Sequence, residues 1–159
     1  MKNSNKQQKL NRILFAILSI IVLTFPSMSS AQEHSSAEGI QFFQGTWEEA
    51  IAESKKQNKP IFLDVYASWC GPCKALKSRT FPNAEAGKYF NEHFINVSLD
   101  AEKGDGIQVK RDLNVHSYPS LFILDSNGDP IVYTAGYLVP EELIDFGKSG
   151  LNNMLTNTK

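Results

Sequence analysis

The feature that most constrains this chain is a short apolar run that leads directly into a pair of cysteines. Residues 61–66 read Ile-Phe-Leu-Asp-Val-Tyr, a near-continuous apolar run of strand length. Such a run predicts a strand that is buried on both faces, at the centre of a sheet. Cys70 and Cys73 follow it and are the only two cysteines in the chain, too few for a disulfide-scaffolded protein. The sequence therefore predicts a buried strand with a reactive dithiol after its carboxyl end.

The first 31 residues have the pattern of a secretory signal peptide. A positively charged segment precedes an apolar run at residues 13–25, and small residues at 29–31 complete a cleavage site. The apolar run would form a helix of about 20 Å, shorter than the hydrocarbon core of about 30 Å. We therefore predict a signal peptide over residues 1–31 and export, with the bacterial periplasm as the destination. An uncleaved membrane anchor is the alternative.

The remaining residues are predicted to form a leader at 32–44, with one short edge strand, and a single domain at 45–156. The chain has a formal net charge of −1, and residues 1–31 hold four basic residues and no acidic one, which leaves −5 for the body. This mild acidity argues against nucleic acid or an anionic membrane surface as a partner. The hydrophobic fraction of 42% is that of a globular protein.

Hydrophobic periodicity, caps and turn residues predict an α/β fold with a mixed central sheet and helices on both faces. The chain would close with a β-hairpin, signalled by Asn-Gly at 127–128, and a helix that begins at Pro140. Thr46 followed by Glu49 predicts a capping box at the start of the first helix. In chain order we expect a helix at 47–58, a strand at 61–66, a helix to about 80, a helical piece at 84–90, a strand at 94–99, a short helix at 107–113, hairpin strands at 121–124 and 131–133, and the closing helix.

The cysteine pair has the placement that disulfide exchange needs. Cys70 falls at or near a helix N-terminus, where unpaired N–H groups and the helix dipole stabilise a thiolate. Cys73 lies one helical turn further on and can reach Cys70, so it can resolve a mixed disulfide. The alternative is a purely structural bridge, although so short a loop constrains little chain. Metal binding is not predicted, because His34, His93 and His116 are not in ligand spacing. No nucleotide-binding motif is present, so no cofactor is predicted.

The segment WCGPCK at residues 69–74 resembles the active-site motif of thioredoxins, and the resemblance extends over most of residues 45–155. Asp64, the pair Tyr118-Pro119 and Gly136 stand where that family has a buried carboxylate, a cis-proline and a glycine near the active site. The segments around Pro60 and at residues 80–90 resemble secreted thioredoxin-like proteins and the periplasmic C-terminal domain of disulfide-reductase transporters.

The resemblance implies a thioredoxin fold in which Cys70 attacks, Cys73 resolves and Asp64 accepts the proton of Cys73. It also implies a substrate-binding surface formed by Trp69, Gly71, Pro72, Tyr118, Pro119 and Gly136. Two positions depart from the family. We align Asn96 with a lysine that thioredoxins place near the buried carboxylate, and Tyr118 replaces a small or β-branched residue.

The function predicted is that of an exported thiol–disulfide oxidoreductase, a monomer that reduces or isomerises disulfides in other exported proteins. Gly-Pro between the cysteines adds no charge that would stabilise the thiolate further, which favours reduction. Outside the cytoplasm such a reductant needs a supply of electrons, so a membrane-bound thiol donor is predicted as partner. Two alternatives stay open: a net disulfide oxidant, and a peptide-binding or chaperone module in which the redox step is incidental.

Overall fold

The computed structural model describes residues 39–157 of the chain. The predicted signal peptide, residues 1–31, and the first part of the leader, residues 32–38, lie outside the described residues. Within 39–157, none of the helices combines the length and the apolar character that crossing a bilayer requires. The boundaries predicted at residues 31 and 44 stay predictions.

The described part of the chain alternates helices and strands in its first half and ends in a hairpin and a helix. The elements are α1 (Trp47–Gln57), β1 (Ile61–Tyr66), α2 (Gly71–Ala75), a π-helical segment that continues it (Leu76–Thr80), α3 (Ala84–His93), β2 (Ile95–Asp100), α4 (Asp105–Asp112), β3 (Ser120–Leu124), β4 (Pro130–Ala135) and α5 (Pro140–Asn157).

The four strands form one mixed sheet in the order β2-β1-β3-β4. β1 pairs with β2 in parallel and with β3 antiparallel, and β4 pairs antiparallel with β3. The predicted α/β architecture is confirmed, including the central position of β1 and the closing hairpin and helix. Because β1 is hydrogen-bonded on both edges, the loop that follows it starts from a fixed position.

The two faces of β1 enter two separate apolar layers. Leu63 and Val65 pack in a cluster with residues of α1 and α4, whereas Phe62 packs in a cluster with the π segment, α3 and α5. Side chains alternate along a strand, so Asp64 points to the same face as Phe62. A carboxyl group therefore lies on a face of β1 that packs mainly against apolar residues.

The capping box predicted for α1 is present and fixes where the first helix begins. The Thr46 hydroxyl accepts the backbone N–H of Glu49 at 3.2 Å, and the Glu49 carboxylate accepts the N–H of Thr46 at 2.7 Å. This reciprocal capping box satisfies two N–H groups that the first turn leaves free. At the other end Asn58 adopts a left-handed conformation and turns the chain toward β1.

The edge strand predicted in the leader is wrong: residues 40–44 form no strand. One backbone bond, from Phe43 N to Asn96 O at 2.8 Å, links the leader to β2. The backbone groups of Gln41 bond instead to side chains. Its N–H donates to Asn91 Oδ1 at 2.8 Å, and its carbonyl accepts from Asn96 Nδ2 at 3.1 Å. Because amide side chains take the place of backbone partners, the leader follows the edge of the sheet without joining it.

Candidate active site

Cys70 and Cys73 form a disulfide at the start of α2, with their Cα atoms 5.3 Å apart. Cys70 is the N-cap of that helix, and its sulfur accepts the backbone N–H of Cys73 at 3.1 Å. The two side chains are 4% and 2% exposed, respectively. An N–H directed at the sulfur stabilises negative charge there, so the same geometry favours a thiolate at Cys70 once the disulfide is reduced.

The turn between β1 and α2 is built from local hydrogen bonds. The N–H of Cys70 donates to Ala67 O at 3.1 Å, and the N–H of Lys74 donates to Cys70 O at 3.2 Å. Pro72 lies in the first turn of α2, where the N–H it lacks would have no helical partner in any case. The sequence Cys-Gly-Pro-Cys therefore starts the helix directly at the first sulfur.

Asp64 is buried in β1, six residues before Cys70. It is 1% exposed; the hydroxyl of Ser98 donates to its Oδ2 at 2.8 Å, and its Oδ1 has no hydrogen-bond partner in the structure. Burial raises the pKa of this carboxyl to about 6, while the Ser98 hydrogen bond and the charge of Lys77 act in the opposite direction. A carboxyl with such a pKa can take up and release a proton near neutral pH.

Asn96, which we align with the lysine that thioredoxins place near the buried carboxylate, is not the β2 residue that bonds to Asp64. In the parallel ladder Asn96 lies opposite Phe62, and Ser98 lies opposite Asp64. The Asn96 amide bonds instead to the leader and to Asn91. Which β2 residue lies opposite Asp64 depends on the register of two parallel strands joined through helices, and neither strand sequence reveals that register.

The predicted substrate-binding residues come together from three distant parts of the chain. The Tyr118–Pro119 peptide bond is cis, as the resemblance implied, and Pro119 O accepts the N–H of Gly136 at 2.9 Å. The Tyr118 ring packs against the cysteine pair and meets the ring of Trp69 edge-on at 5.8 Å. Gly136 has a φ of 101°, a conformation that glycine adopts readily and other residues avoid.

The rim of the site is exposed. Trp69 is 65% exposed, its indole N–H donates to Glu102 Oε1 at 3.0 Å, and Gly71 and Pro72 are also open to solvent. These side chains surround a disulfide that is itself almost covered. A visiting chain would therefore meet an apolar surface before it reaches the sulfur atoms.

Sequence reasoning missed Ser98, Lys77, Tyr66 and Glu102. The Lys77 ammonium lies 2.9 Å from the centroid of the Tyr66 ring, a cation–π contact. Its spacing of four residues from Cys73 is a helical signal that could have placed it on the same side of the helix. Ser98 and Glu102 carry no such signal. The contact of Ser98 with Asp64 depends on the register of β1 and β2, and the contact of Glu102 with Trp69 depends on the loop after β2.

The mixed sheet, the disulfide at a helix start, the buried carboxyl and the adjacent cis-proline define a protein of thioredoxin fold with a cysteine pair at its candidate active site. The chain belongs to the family described as Thioredoxin-like, which matches residues 42–126, more than half of its length. The resemblance recognised from the motif is thereby confirmed.

Three similar proteins illustrate this relationship. The solution structure of a candidate disulphide-isomerase from Bacteroides thetaiotaomicron is 35% identical, with a TM-score of 0.64, over 72% of this chain and 95% of that one. Thiol:disulfide interchange protein DsbD of Vibrio cholerae is 29% identical over 100 residues, 60% of this chain and 16% of DsbD. Spermatogenesis-associated protein 20 of Rattus norvegicus is 43% identical over 56 residues, 35% of this chain and 7% of that protein. The chain thus spans only a small part of these two longer relatives.

Proposed function

We propose that this protein is an exported thiol–disulfide oxidoreductase that reduces or isomerises disulfides of other exported proteins through Cys70 and Cys73. The observation that carries the proposal is the sulfur of Cys70, which caps a helix and accepts the N–H of Cys73. This arrangement stabilises the thiolate, the form of cysteine that attacks disulfides. The apolar run at residues 13–25 supports export.

The first chemical step is attack by the Cys70 thiolate on one sulfur of a substrate disulfide. A new S–S bond joins Cys70 to the substrate, and the other substrate sulfur leaves as a thiolate that takes a proton from solvent. The N–H of Cys73 stabilises the charge on Cys70 before attack. The protein and the substrate are then linked as a mixed disulfide.

The second step releases the substrate. Asp64 accepts the proton of Cys73, and the resulting thiolate attacks Cys70 and displaces the second substrate sulfur, which is protonated as it leaves. Two electrons have passed from the dithiol to the substrate, and the Cys70–Cys73 disulfide forms. The raised pKa of Asp64 and the π segment that covers its face of β1 support this role.

The substrate is proposed to lie as an extended strand across Trp69, Tyr118, Pro119 and Gly136, with Gly71 and Pro72 at the rim. Their convergence on the cysteine pair supports this assignment. An extended chain can pair with an exposed backbone segment, here that of Tyr118, which gives affinity with little dependence on side-chain identity. We therefore expect a range of unfolded or flexible disulfide-containing proteins as substrates.

We propose that electrons come from a membrane-bound thiol donor. The likeness to part of thiol:disulfide interchange protein DsbD supports a partner of this chemical class. The direction of transfer is testable by redox titration against glutathione. A potential near that of thioredoxin, about −270 mV, is expected, whereas a value near about −120 mV would make the protein a net oxidant.

Reduction of insulin disulfides by dithiothreitol tests the catalytic proposal. We expect the wild-type protein to accelerate the reaction and Cys70→Ser to fall to the uncatalysed rate. Cys73→Ser is the matched control, because it loses the same bridge but keeps the attacking sulfur, and it should accumulate a mixed disulfide with substrate. Turnover by Cys70→Ser would refute the assignment. If that variant also suppressed client aggregation as well as the wild type, a peptide-binding module would be the better description.

A further inference from the structure

An open groove of about 610 Å³ separates the leader from the π segment. The leader contributes apolar residues to its lining, and Tyr66, Lys77 and Ser98 line it as well. We propose that Lys77 is a positioning residue that acts from this groove on Asp64 and sets the pH at which that carboxyl accepts the proton of Cys73. The inference rests on the proposed function, in which Asp64 is the proton acceptor.

Lys77 is held in place by an aromatic ring and not by a carboxylate. Its ammonium lies 2.9 Å from the centroid of the Tyr66 ring. Within residues 39–157 the salt bridges join Lys56 to Glu53, Lys103 to Asp100 and Lys148 to Asp145, and none includes Lys77. Among the residues that the structure describes, no acid therefore neutralises the positive charge of Lys77.

Ser98 connects the groove to the buried carboxyl. Its hydroxyl donates to Asp64 Oδ2 at 2.8 Å, and the same residue lines the groove. The side chain of Ser98 thus connects the Asp64 carboxyl to the groove that Lys77 also lines. Since Ser98 occupies Oδ2, the unpartnered Oδ1 is the oxygen left to receive a proton.

The other elements around Asp64 bring no competing charge among the described residues. β3 places Leu121 opposite it, and α3 and α5 cover this face of the sheet with apolar residues such as Phe90 and Leu143. The cysteine pair at the start of α2 is uncharged in the disulfide. The groups that oppose the effect of burial on the Asp64 pKa are the Ser98 hydroxyl and the Lys77 ammonium.

This arrangement explains how Asp64 functions with no lysine opposite it on β2. A nearby positive charge favours the carboxylate, which is the form that can accept a proton. Without Lys77, burial would keep Asp64 protonated to a higher pH, and a smaller fraction of Asp64 could accept the proton of Cys73 on the acid side of neutrality. Lys77 supplies that charge from the helical side of the site.

The test is the pH profile of single-turnover insulin reduction by the pre-reduced full chain, followed by tryptophan fluorescence. We expect Lys77→Met to move the acid limb to higher pH and to lower the rate on that limb roughly threefold, equivalent to about half a pH unit. Lys77→Arg, which keeps the charge, should restore the wild-type profile. Lys88→Met, which removes an exposed charge on α3 outside the groove, should leave the profile unchanged.

The same variants in an Asp64→Asn background separate the possible outcomes. There, Lys77→Met should cause no further shift, because the group it acts on is gone. An equal shift in both backgrounds would mean that Lys77 acts on the cysteines directly, which would overturn the inference. If Asp64→Asn slowed the reaction but Lys77→Met moved nothing, the inference alone would fail. If Asp64→Asn itself changed nothing, the proton-acceptor role in the proposed function would fail with it.

Discussion

Asp64 illustrates how burying one ionisable side chain lowers the stability of a fold. The pKa of Asp64 is about 6 in the folded protein, against an ordinary value of 3.8, chiefly because burial disfavours the carboxylate. Between these two values the folded state binds more protons than the unfolded state, so the stability of the fold decreases as the pH rises through this window. Above about pH 6 the full loss of stability from ionising Asp64 has occurred.

We expect Asp64→Asn to stabilise the oxidised protein at pH 8 by up to about 3 kcal/mol, since the amide is not ionised. The gain should shrink toward pH 4, where the native carboxyl is already neutral. Urea denaturation at the two pH values measures the effect. Asp145→Asn, an exchange at an exposed surface pair, is the matched control and should show no such pH dependence. If Asp64→Asn were no more stable than the wild type at pH 8, the conclusion that burial of the ionised Asp64 lowers stability would be contradicted.

Single residues divide clearly into those that sequence reasoning could find and those it could not. Cys70, Cys73 and the burial of Asp64 follow from a local motif and an apolar run, and the structure places them as expected. Ser98 was missed because its contact with Asp64 depends on the register of β1 and β2. Shifting β2 by two residues would place Asn96 opposite Asp64 and keep the same side chains on each face of the sheet. Local sequence therefore cannot choose between the two registers.

The closing helix α5 shows how an element can accept residues that its own propensity disfavours. Gly147 and Gly150 weaken a helix, yet α5 runs unbroken over Pro140–Asn157. A Cβ at Gly150 would lie 2.7–2.9 Å from side-chain atoms of the buried Ile123, and one at Gly147 would lie 3.0 Å from the rings of Phe90 and Tyr89. The glycines allow α5 to approach β3 and α3 more closely than any larger residue would permit.

Gly150→Ala should therefore destabilise the protein although alanine is the better helix former. The gain in helix propensity is about 1 kcal/mol, but the added methyl group displaces a fully buried isoleucine, and we expect a net loss of about 1–2 kcal/mol. Asn152→Ala, at an exposed position of the same helix, is the control and should be neutral or slightly stabilising. Thermal unfolding of both variants measures the difference. A rise in melting temperature for Gly150→Ala would show that the two elements are not in close contact.

The molecule as a whole brings its site together from segments far apart in the chain. The cysteines follow β1, the cis-proline precedes β3, and Gly136 follows β4. β1 and β3 are adjacent and antiparallel, so the end of one strand meets the start of the other. The mixed sheet is therefore what places Tyr118 against the disulfide.

The direction of electron transfer is a property of the whole fold, because the redox equilibrium of the dithiol is linked to the stability of each form. If the protein is a reductant, its disulfide form should be the more stable one, with a higher urea midpoint than the protein unfolded under excess dithiothreitol. Cys73→Ser should show no difference between the two conditions. Greater stability of the reduced form would instead indicate a net oxidant.

The chain by itself determined most of the helices and strands and the placement of the cysteine pair, because these depend on neighbours in sequence. The apolar run of β1, the capping box of α1, the Asn-Gly hairpin and the Cys-Gly-Pro-Cys helix start were all predicted and are all present. Each rests on a hydrogen-bonding pattern or a periodicity that spans only a few residues.

Only the tertiary structure decided which groups surround that chemistry. It set Ser98 against Asp64, placed Lys77 over Tyr66 in an open groove, tied Trp69 to Glu102, and held the leader with two asparagine side chains in place of an edge strand. These contacts join residues that are distant in sequence or depend on the register of strands and helices. Their free energy comes from packing that exists only once the whole domain has assembled.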